Sequence, residues 1–184
     1  MWRVMTFLVC LVLWVPSEAW AQQAVSGAGA GTGTGVTTTV VIVRHAEKED
    51  EPRADPPLSA AGEARAVALA DALADAGITA ILVTPYERTR ATARPLASRL
   101  GIVPEEVPVG RDVAAHIAAV VEAVRKHEGG TVLVVGHSNT VPLITEGLQG
   151  QAVLPMTEAD YDRMYVVTVK ADGGHLIRTH YGRQ

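Results

Sequence analysis

The stretch Val40-Val41-Ile42-Val43-Arg44-His45 changes abruptly from four β-branched apolar residues to an arginine and a histidine. An apolar run of this length and composition predicts a strand that is buried on both faces of a sheet. In open α/β sheets, ligands bind just beyond the carboxyl ends of such strands. Arg44 and His45 therefore lie where a binding or catalytic site is expected.

The same pattern recurs later in the chain. Thr131–Val135 is a second strand-like run, and His137 follows it after a single glycine. A third apolar run, Ile78–Val83, is followed closely by Arg88. The carboxyl ends of parallel strands meet at one edge of a sheet, so these polar residues should converge there. The predicted group is Arg44, His45, Arg88 and His137.

Helical segments are predicted between the strands. Ser59 and Asp112 are suitable N-caps, and Gly77 and Gly101 are typical helix ends. The predicted helices are Ala60–Ala76, a helix that ends at Leu100, Val113–His127 and Val141–Leu148. A weak strand is expected within Ile102–Val109, and a hairpin of Tyr165–Val169 and His175–Tyr181 follows the last helix. This alternation predicts a three-layer α/β/α sandwich with a mostly parallel central sheet.

The N-terminal residues are expected to lie outside this domain. A short positive start followed by the apolar run Val4–Val15 indicates a cleavable secretory signal over residues 1–21. The apolar run is too short to span a bilayer comfortably, although an uncleaved membrane anchor is the alternative. Residues 22–36, rich in Gly, Ala and Thr, are predicted to form a flexible linker, and residues 37–184 a single domain. We therefore expect a periplasmic or secreted protein, without a membrane span once the signal is removed.

Composition excludes several classes of function. A net charge of −4 and an aromatic content of 4% argue against a nucleic-acid partner. Cys10, the only cysteine, lies in the signal segment, so the mature chain should have neither a disulfide nor a thiol nucleophile. No cluster of Cys or His has metal-ligand spacing, so neither a metal nor another cofactor is predicted.

The residue types at the strand ends indicate an anion site. Two guanidinium groups can donate paired hydrogen bonds to the oxygens of a phosphate or carboxylate. A histidine beside them can act as a nucleophile or carry a proton. The expected ligand is therefore a phosphoryl group on a small substrate.

Four segments, taken in chain order, carry a resemblance to a known family. They are Val43-Arg44-His45-Ala46-Glu47, the loop Asp55-Pro56-Pro57-Leu58-Ser59-x-x-Gly62, the stretch from Thr84 to Ala93, and Val135-Gly136-His137-Ser138-Asn139. Together they resemble the histidine phosphatase superfamily, the phosphoglycerate-mutase-like family, over about Val40 to Leu148. Ser138 stands where one branch of the family has an acidic residue, so the resemblance favours the other branch, branch 1.

The resemblance implies a role for each residue of the group. His45 would be the nucleophile that forms a phosphohistidine, and Arg44, Arg88 and His137 would hold the phosphoryl oxygens without any metal. Asp112 has about the right separation from Arg88 to be the proton donor for the leaving group. A role as a helix N-cap explains Asp112 equally well, and the further candidates are Glu47, Glu105 and Glu106.

The predicted function is a metal-independent phosphomonoesterase. The alternatives are a phosphohistidine protein phosphatase and a non-catalytic phosphoanion-binding module, and a mutase is disfavoured because the chain is short. The loops Glu47–Pro57 and Gln149–Asp160 are expected to set substrate selectivity. Tyr161 and Tyr165 are expected to pack in the core, and the alternative is that they line the mouth of the pocket.

Overall fold

The computed structural model describes residues 35–170 and 173–182. The predicted signal, residues 1–21, and residues 22–34 of the predicted linker lie outside the described residues, so these assignments stay predictions. Within the described ranges, no helix combines the length and the apolar character needed to cross a membrane.

The described chain alternates strands and helices in the order that the sequence predicts. The strands are β1 (Thr38–Arg44), β2 (Ile78–Val83), β3 (Glu105–Glu106), β4 (Thr131–Gly136), β5 (Arg163–Lys170) and β6 (Gly173–His180). The helices are α1 (Ala60–Ala72), α2 (Glu87–Leu100), α3 (Val113–Arg125) and α4 (Val141–Gln149).

The strands form one six-stranded sheet in the order β3-β2-β4-β1-β5-β6. The first four strands of this order pair in parallel, and β5 and β6 add antiparallel strands at one edge. The predicted hairpin is therefore present, with strands somewhat longer than expected.

The side chains of β1 alternate between two hydrophobic clusters. Val40 and Ile42 pack in the cluster that includes residues of α3 and α4, whereas Val41 and Val43 pack in the cluster that includes residues of α1 and α2. All four side chains are almost completely buried. Because helices cover both faces of the sheet, the three-layer α/β/α prediction is confirmed.

The loop after β1 approaches α1 closely. The backbone N–H of Ser59 donates to the carbonyl oxygen of Glu47 at 3.0 Å, and the Ser59 hydroxyl accepts from Gly62 at 3.3 Å, as expected of an N-cap. A Cβ atom on Gly62 would lie only 2.0 Å from that Glu47 carbonyl oxygen. Glycine is thus required at this position, and the contact fixes the start of α1 beside the residues that follow His45.

Several predicted bounds differ from the structure at helix ends. α1 ends at Ala72, because the last residues before Gly77 form turns instead of a continuous helix. α3 ends at Arg125, short of the predicted His127, and the weak strand is reduced to two residues. α2 ends at Leu100 as predicted, with Gly101 in the left-handed conformation at φ 67°.

Candidate active site

Neighbouring strands deliver the two histidines. Arg44, the last residue of β1, is in register with Gly136, the last residue of β4. The backbone N–H of His45 continues this pairing by donating to the Gly136 carbonyl oxygen at 2.9 Å. The rings of His45 and His137 consequently meet edge to face, with their centroids 5.4 Å apart.

Arg44 is buried beneath this edge, with 1% of its surface exposed. One terminal nitrogen, Nη1, donates to the Thr157 carbonyl oxygen at 3.1 Å, and the other, Nη2, donates to Glu158 Oε2 at 2.5 Å. The guanidinium also lies over the Tyr161 ring, 4.1 Å from its centroid. The Arg44 Nε–H is buried and has no partner among the described residues.

Arg88 enters the site from the first turn of α2. Its Nη2 lies 3.5 Å from Nδ1 of His137, its Nη1 lies 3.6 Å from the Asp55 carboxylate, and its guanidinium packs over the Tyr86 ring. Asp55 also accepts the backbone N–H of Glu87 at 2.9 Å, and so satisfies a donor at the start of α2. Asp55 therefore positions both the helix and the guanidinium that it carries.

His45 is held in one neutral tautomer. Its Nδ1 lies 2.8 Å from the Ala46 carbonyl oxygen, which can only accept, so Nδ1 carries the proton and Nε2 keeps its lone pair. Burial, together with the positive charges of Arg44 and Arg88, lowers the pKa of His45 from 6.5 to about 4. At neutral pH, Nε2 is therefore an unprotonated nitrogen beside two cations, as a nucleophile for an anionic substrate requires.

His137 is oriented by two threonine hydroxyls. Its Nε2 lies 3.0 Å from Thr84 Oγ1, which is itself 2.9 Å from Thr89 Oγ1. Because the Thr89 hydroxyl donates to the carbonyl oxygens of Thr84 and Tyr86, it must accept from Thr84, and Thr84 must accept from His137. This relay assigns the proton to Nε2 and leaves the lone pair of Nδ1 toward Arg88. Burial and the Arg88 charge lower the pKa of His137 to about 3, so this ring is also neutral in the ligand-free site.

The four predicted residues thus lie together at one sheet edge. The other carboxylate candidates have different neighbours. Asp112 is the N-cap of α3 and accepts from the backbone N–H groups of Ala114 and Ala115, and its described contacts include none of the four. Its role as proton donor stays a prediction. Glu47 pairs with Arg65, Glu106 with Arg90, and Glu105 with His127.

The sequence prediction missed the contacts of Glu158 and Tyr161. Tyr161 does not pack solely in the core as expected, because its ring lies against Arg44 and 6.3 Å from the His45 ring. Tyr165 is buried in the core as expected. The one indication in the sequence was that Glu158 lies in the loop predicted to set selectivity and that Tyr161 directly follows this loop. The local sequence does not indicate that the loop reaches Arg44.

Comparison with known proteins finds a family model that matches part of the chain. The model of the histidine phosphatase superfamily (branch 1) matches residues 40–114, a range that contains Arg44, His45 and Arg88. The superfamily resemblance seen in the sequence is therefore confirmed.

Solved structures share the fold. The protein histidine phosphatase SixA complexed with tungstate aligns with a TM-score of 0.62 and 19% identity, covering 77% of this chain and 96% of that chain. A structure described as a candidate phosphohistidine phosphatase SixA from Nakamurella multipartitia aligns with a TM-score of 0.57 and 25% identity, covering 80% and 98% of the respective chains.

A curated relative shares a shorter segment. "Uncharacterized protein Rv0525" of Mycobacterium tuberculosis (strain ATCC 25618 / H37Rv) is 47% identical over 51 residues, which are 28% of this chain. The shared segment spans a quarter, 25%, of the length of that relative.

Proposed function

We propose that this histidine phosphatase domain hydrolyses phosphomonoesters of small molecules through a covalent phosphohistidine on His45. The observation that carries the proposal is the geometry of His45, whose neutral Nε2 is fixed beside two guanidinium groups and a second buried histidine. The phosphatase relatives and the superfamily match support the same class of reaction.

In the first step, the lone pair of His45 Nε2 attacks phosphorus while the bond from phosphorus to the leaving oxygen breaks. Arg44 and Arg88 donate to the phosphoryl oxygens that gain charge. As the anion approaches, His137 can take up a proton at Nδ1 and donate it to the same group, because the negative charge offsets the effect of Arg88.

In the second step, water attacks phosphorus, the bond between nitrogen and phosphorus breaks, and its electron pair returns to Nε2. The water gives a proton to the group that protonated the leaving oxygen in the first step, so phosphate leaves with the site restored. No metal takes part in either proposed step. The leaving oxygen takes up a proton in the first step, and the sequence prediction assigns this proton to Asp112.

Export is part of the proposal and rests on the sequence of residues 1–21. Amino-terminal sequencing of the protein recovered outside the cytoplasm should give Gln22 as the first residue. Recovery of the intact chain in the membrane fraction would instead identify an uncleaved anchor.

A phosphohistidine protein phosphatase is the second candidate, because one solved structure with the same fold and 25% identity is described as a candidate phosphohistidine phosphatase. The two candidates differ in the substrate and share the nucleophile. Comparing the hydrolysis of a phosphohistidine-containing protein with that of small phosphomonoesters would separate them.

The decisive experiment measures hydrolysis of p-nitrophenyl phosphate with a chelator present. We expect turnover by the wild type and a loss of at least about 10³-fold in His45→Ala, because removal of a nucleophile eliminates the covalent route. Acid-labile, alkali-stable phosphate on His45 after rapid quenching would identify the intermediate. His175→Gln, on the exposed β6, is the matched control and should retain full activity. Equal turnover by His45→Ala and wild type would exclude the mechanism.

A further inference from the structure

Charges in the candidate site are arranged in two levels. The side chains of Arg44 and Arg88 are buried or nearly so, with 1% and 16% of their surfaces exposed. Their carboxylate partners stand further out, because 78% of the Glu158 side chain and 39% of the Asp55 side chain are exposed. The site thus has a cationic floor, formed by Arg44 and Arg88, and an anionic rim, formed by Glu158 and Asp55.

A bound phosphoryl group changes the balance between these levels. In the free site, Glu158 offsets the charge of Arg44, and Asp55 offsets that of Arg88. A phosphoryl dianion on the floor would offset the same two guanidinium charges. The two rim carboxylates would then lack compensating charge, and a cationic group on the substrate would restore neutrality.

Glu158 is held in place for such a contact. Its Oε1 accepts from the Ser138 hydroxyl at 2.7 Å, while Oε2 accepts from Arg44. These hydrogen bonds hold the pKa of Glu158 below its ordinary value, so the carboxylate is charged at neutral pH. The turn that carries it is closed by Asp160, which accepts both the N–H and the hydroxyl of Thr157.

Glu158 also keeps room for another donor. A carboxylate oxygen has two lone-pair directions, and the described contacts of Glu158 use one direction on each oxygen. The other lone-pair directions of the carboxylate face solvent. The carboxylate lies close enough to His45 for its negative charge to raise the pKa of that ring. The Asp55 oxygens, by contrast, both contact the backbone N–H of Glu87.

Building on the proposed function, we propose that Glu158 selects zwitterionic phosphomonoesters. In these substrates an ammonium group lies a few bonds from the phosphate, as in the phosphate esters of amino alcohols. The phosphoryl group would occupy the floor and the ammonium group would contact Glu158. Substrates with a second anionic group would be disfavoured by the same carboxylate.

Three two-carbon phosphates that differ only in their terminal group test this preference. They are 2-aminoethyl phosphate, 2-hydroxyethyl phosphate and phosphoglycolate, whose terminal groups are cationic, neutral and anionic. We expect kcat/KM to fall in that order by about tenfold at each step, and the differences to shrink at high salt as screening increases.

Glu158→Gln should reduce the spread across the series to about threefold or less, because it removes the charge and nearly preserves the shape. Glu122→Gln, on the exposed face of α3, is the matched control and should keep the wild-type order. A wild-type enzyme that prefers phosphoglycolate, or a Glu158→Gln enzyme with an unchanged spread, would overturn the inference.

Binding separates this inference from the hydrolytic proposal. The same three compounds can be titrated calorimetrically into the full-length His45→Ala protein, in which no turnover obscures affinity. If the wild type hydrolyses none of these compounds, nor p-nitrophenyl phosphate, the proposed hydrolase function is wrong. The order of the binding affinities would still decide the role of Glu158. Binding in the expected order supports it, and binding in the reverse order or with equal affinities overturns it.

Discussion

At the scale of single residues, the relay beneath His137 defines what the second histidine can do. Thr84, Thr89 and His137 are all buried, and their hydrogen bonds can be satisfied in one direction only. The ring is thus fixed with its Nδ1 toward the anion site, so the relay gives Thr84 a positioning role.

Thr84→Val should therefore impair catalysis without removing any group that touches the substrate. The change leaves a buried N–H without an acceptor, at a cost of about 1–3 kcal/mol. Applied to the transition state, that cost corresponds to a fall of about 10- to 100-fold in kcat/KM. Thr84→Ser retains the hydroxyl and should restore activity to within about threefold of wild type. The ¹⁵N chemical shifts of His137 should report the loss of a fixed tautomer in Thr84→Val alone; identical shifts and activities in the two variants would contradict the relay.

The arginine and the histidines at the strand ends could be predicted from the sequence, but the residues that they contact in the fold could not. Arg44, His45 and His137 each end or directly follow an apolar run, so the strand pattern alone places them at a sheet edge. The contact of Thr84 with His137 joins residues that are 53 positions apart, and that of Arg44 with Glu158 joins residues 114 positions apart. Such contacts depend on the path of the backbone in space, which local composition does not encode.

At the scale of elements, α3 raises the question of what Asp112 contributes. Its carboxylate accepts two backbone N–H groups of the first turn, at 2.9 and 3.2 Å. These contacts are sufficient to explain an acidic residue at this position, because orphan donors at a helix start need acceptors.

Two substitutions separate the cap from the predicted proton donor. Asp112→Asn keeps a good N-cap and removes the acid, whereas Asp112→Ala removes both. A role as cap alone requires Asp112→Asn to keep kcat for an alkyl phosphate within about twofold, and we expect Asp112→Ala to lower the free energy of unfolding by about 1 kcal/mol. Urea unfolding and steady-state kinetics measure the two effects. A large loss of kcat in Asp112→Asn, confined to poor leaving groups, would establish Asp112 as the proton donor.

Element ends were harder to predict than element types. The prediction that α2 ends at Leu100 is correct, because Gly101 adopts the left-handed conformation directly after this residue. Between Ala72 and Gly77, however, the alanine-rich sequence gives no local stop, and the helix yields to turns. Within the described residues, the strands and helices follow the predicted order, because apolar runs mark the strands and cap residues and glycines mark most helix ends.

At the scale of the whole molecule, the two active-site histidines couple folding to pH. Their pKa values in the folded state, about 4 for His45 and about 3 for His137, lie below the ordinary 6.5. The unfolded chain therefore binds more protons than the native state as the pH falls below 6.5. Stability is greatest above that pH and declines toward pH 4.

The decline can be measured by urea unfolding between pH 7 and pH 4.5. His137 alone should lower the free energy of unfolding by about 2–3 kcal/mol across this range, since each pH unit between the two pKa values costs about 1.4 kcal/mol. Carboxylates with lowered pKa values, Glu47 and Glu158 among them, act in the same direction at lower pH. His137→Asn should consequently show a shallower dependence than wild type, whereas His175→Gln should not. Equal slopes in His137→Asn and wild type would contradict the assignment of a buried neutral ring.

The place of β4 in the sheet has a consequence for synthesis on the ribosome. β1 carries Arg44 and β2 leads to Arg88, but these two strands share no edge, because β4 lies between them. A nascent chain that has emerged only as far as residue 114 already contains both arginines and His45, yet has no strand to join β1 to β2. Thr131–Gly136 must insert between strands that are already made, a long-range pairing that forms late and slowly. The incomplete polypeptide therefore holds His45 outside the assembled candidate site until translation has passed β4.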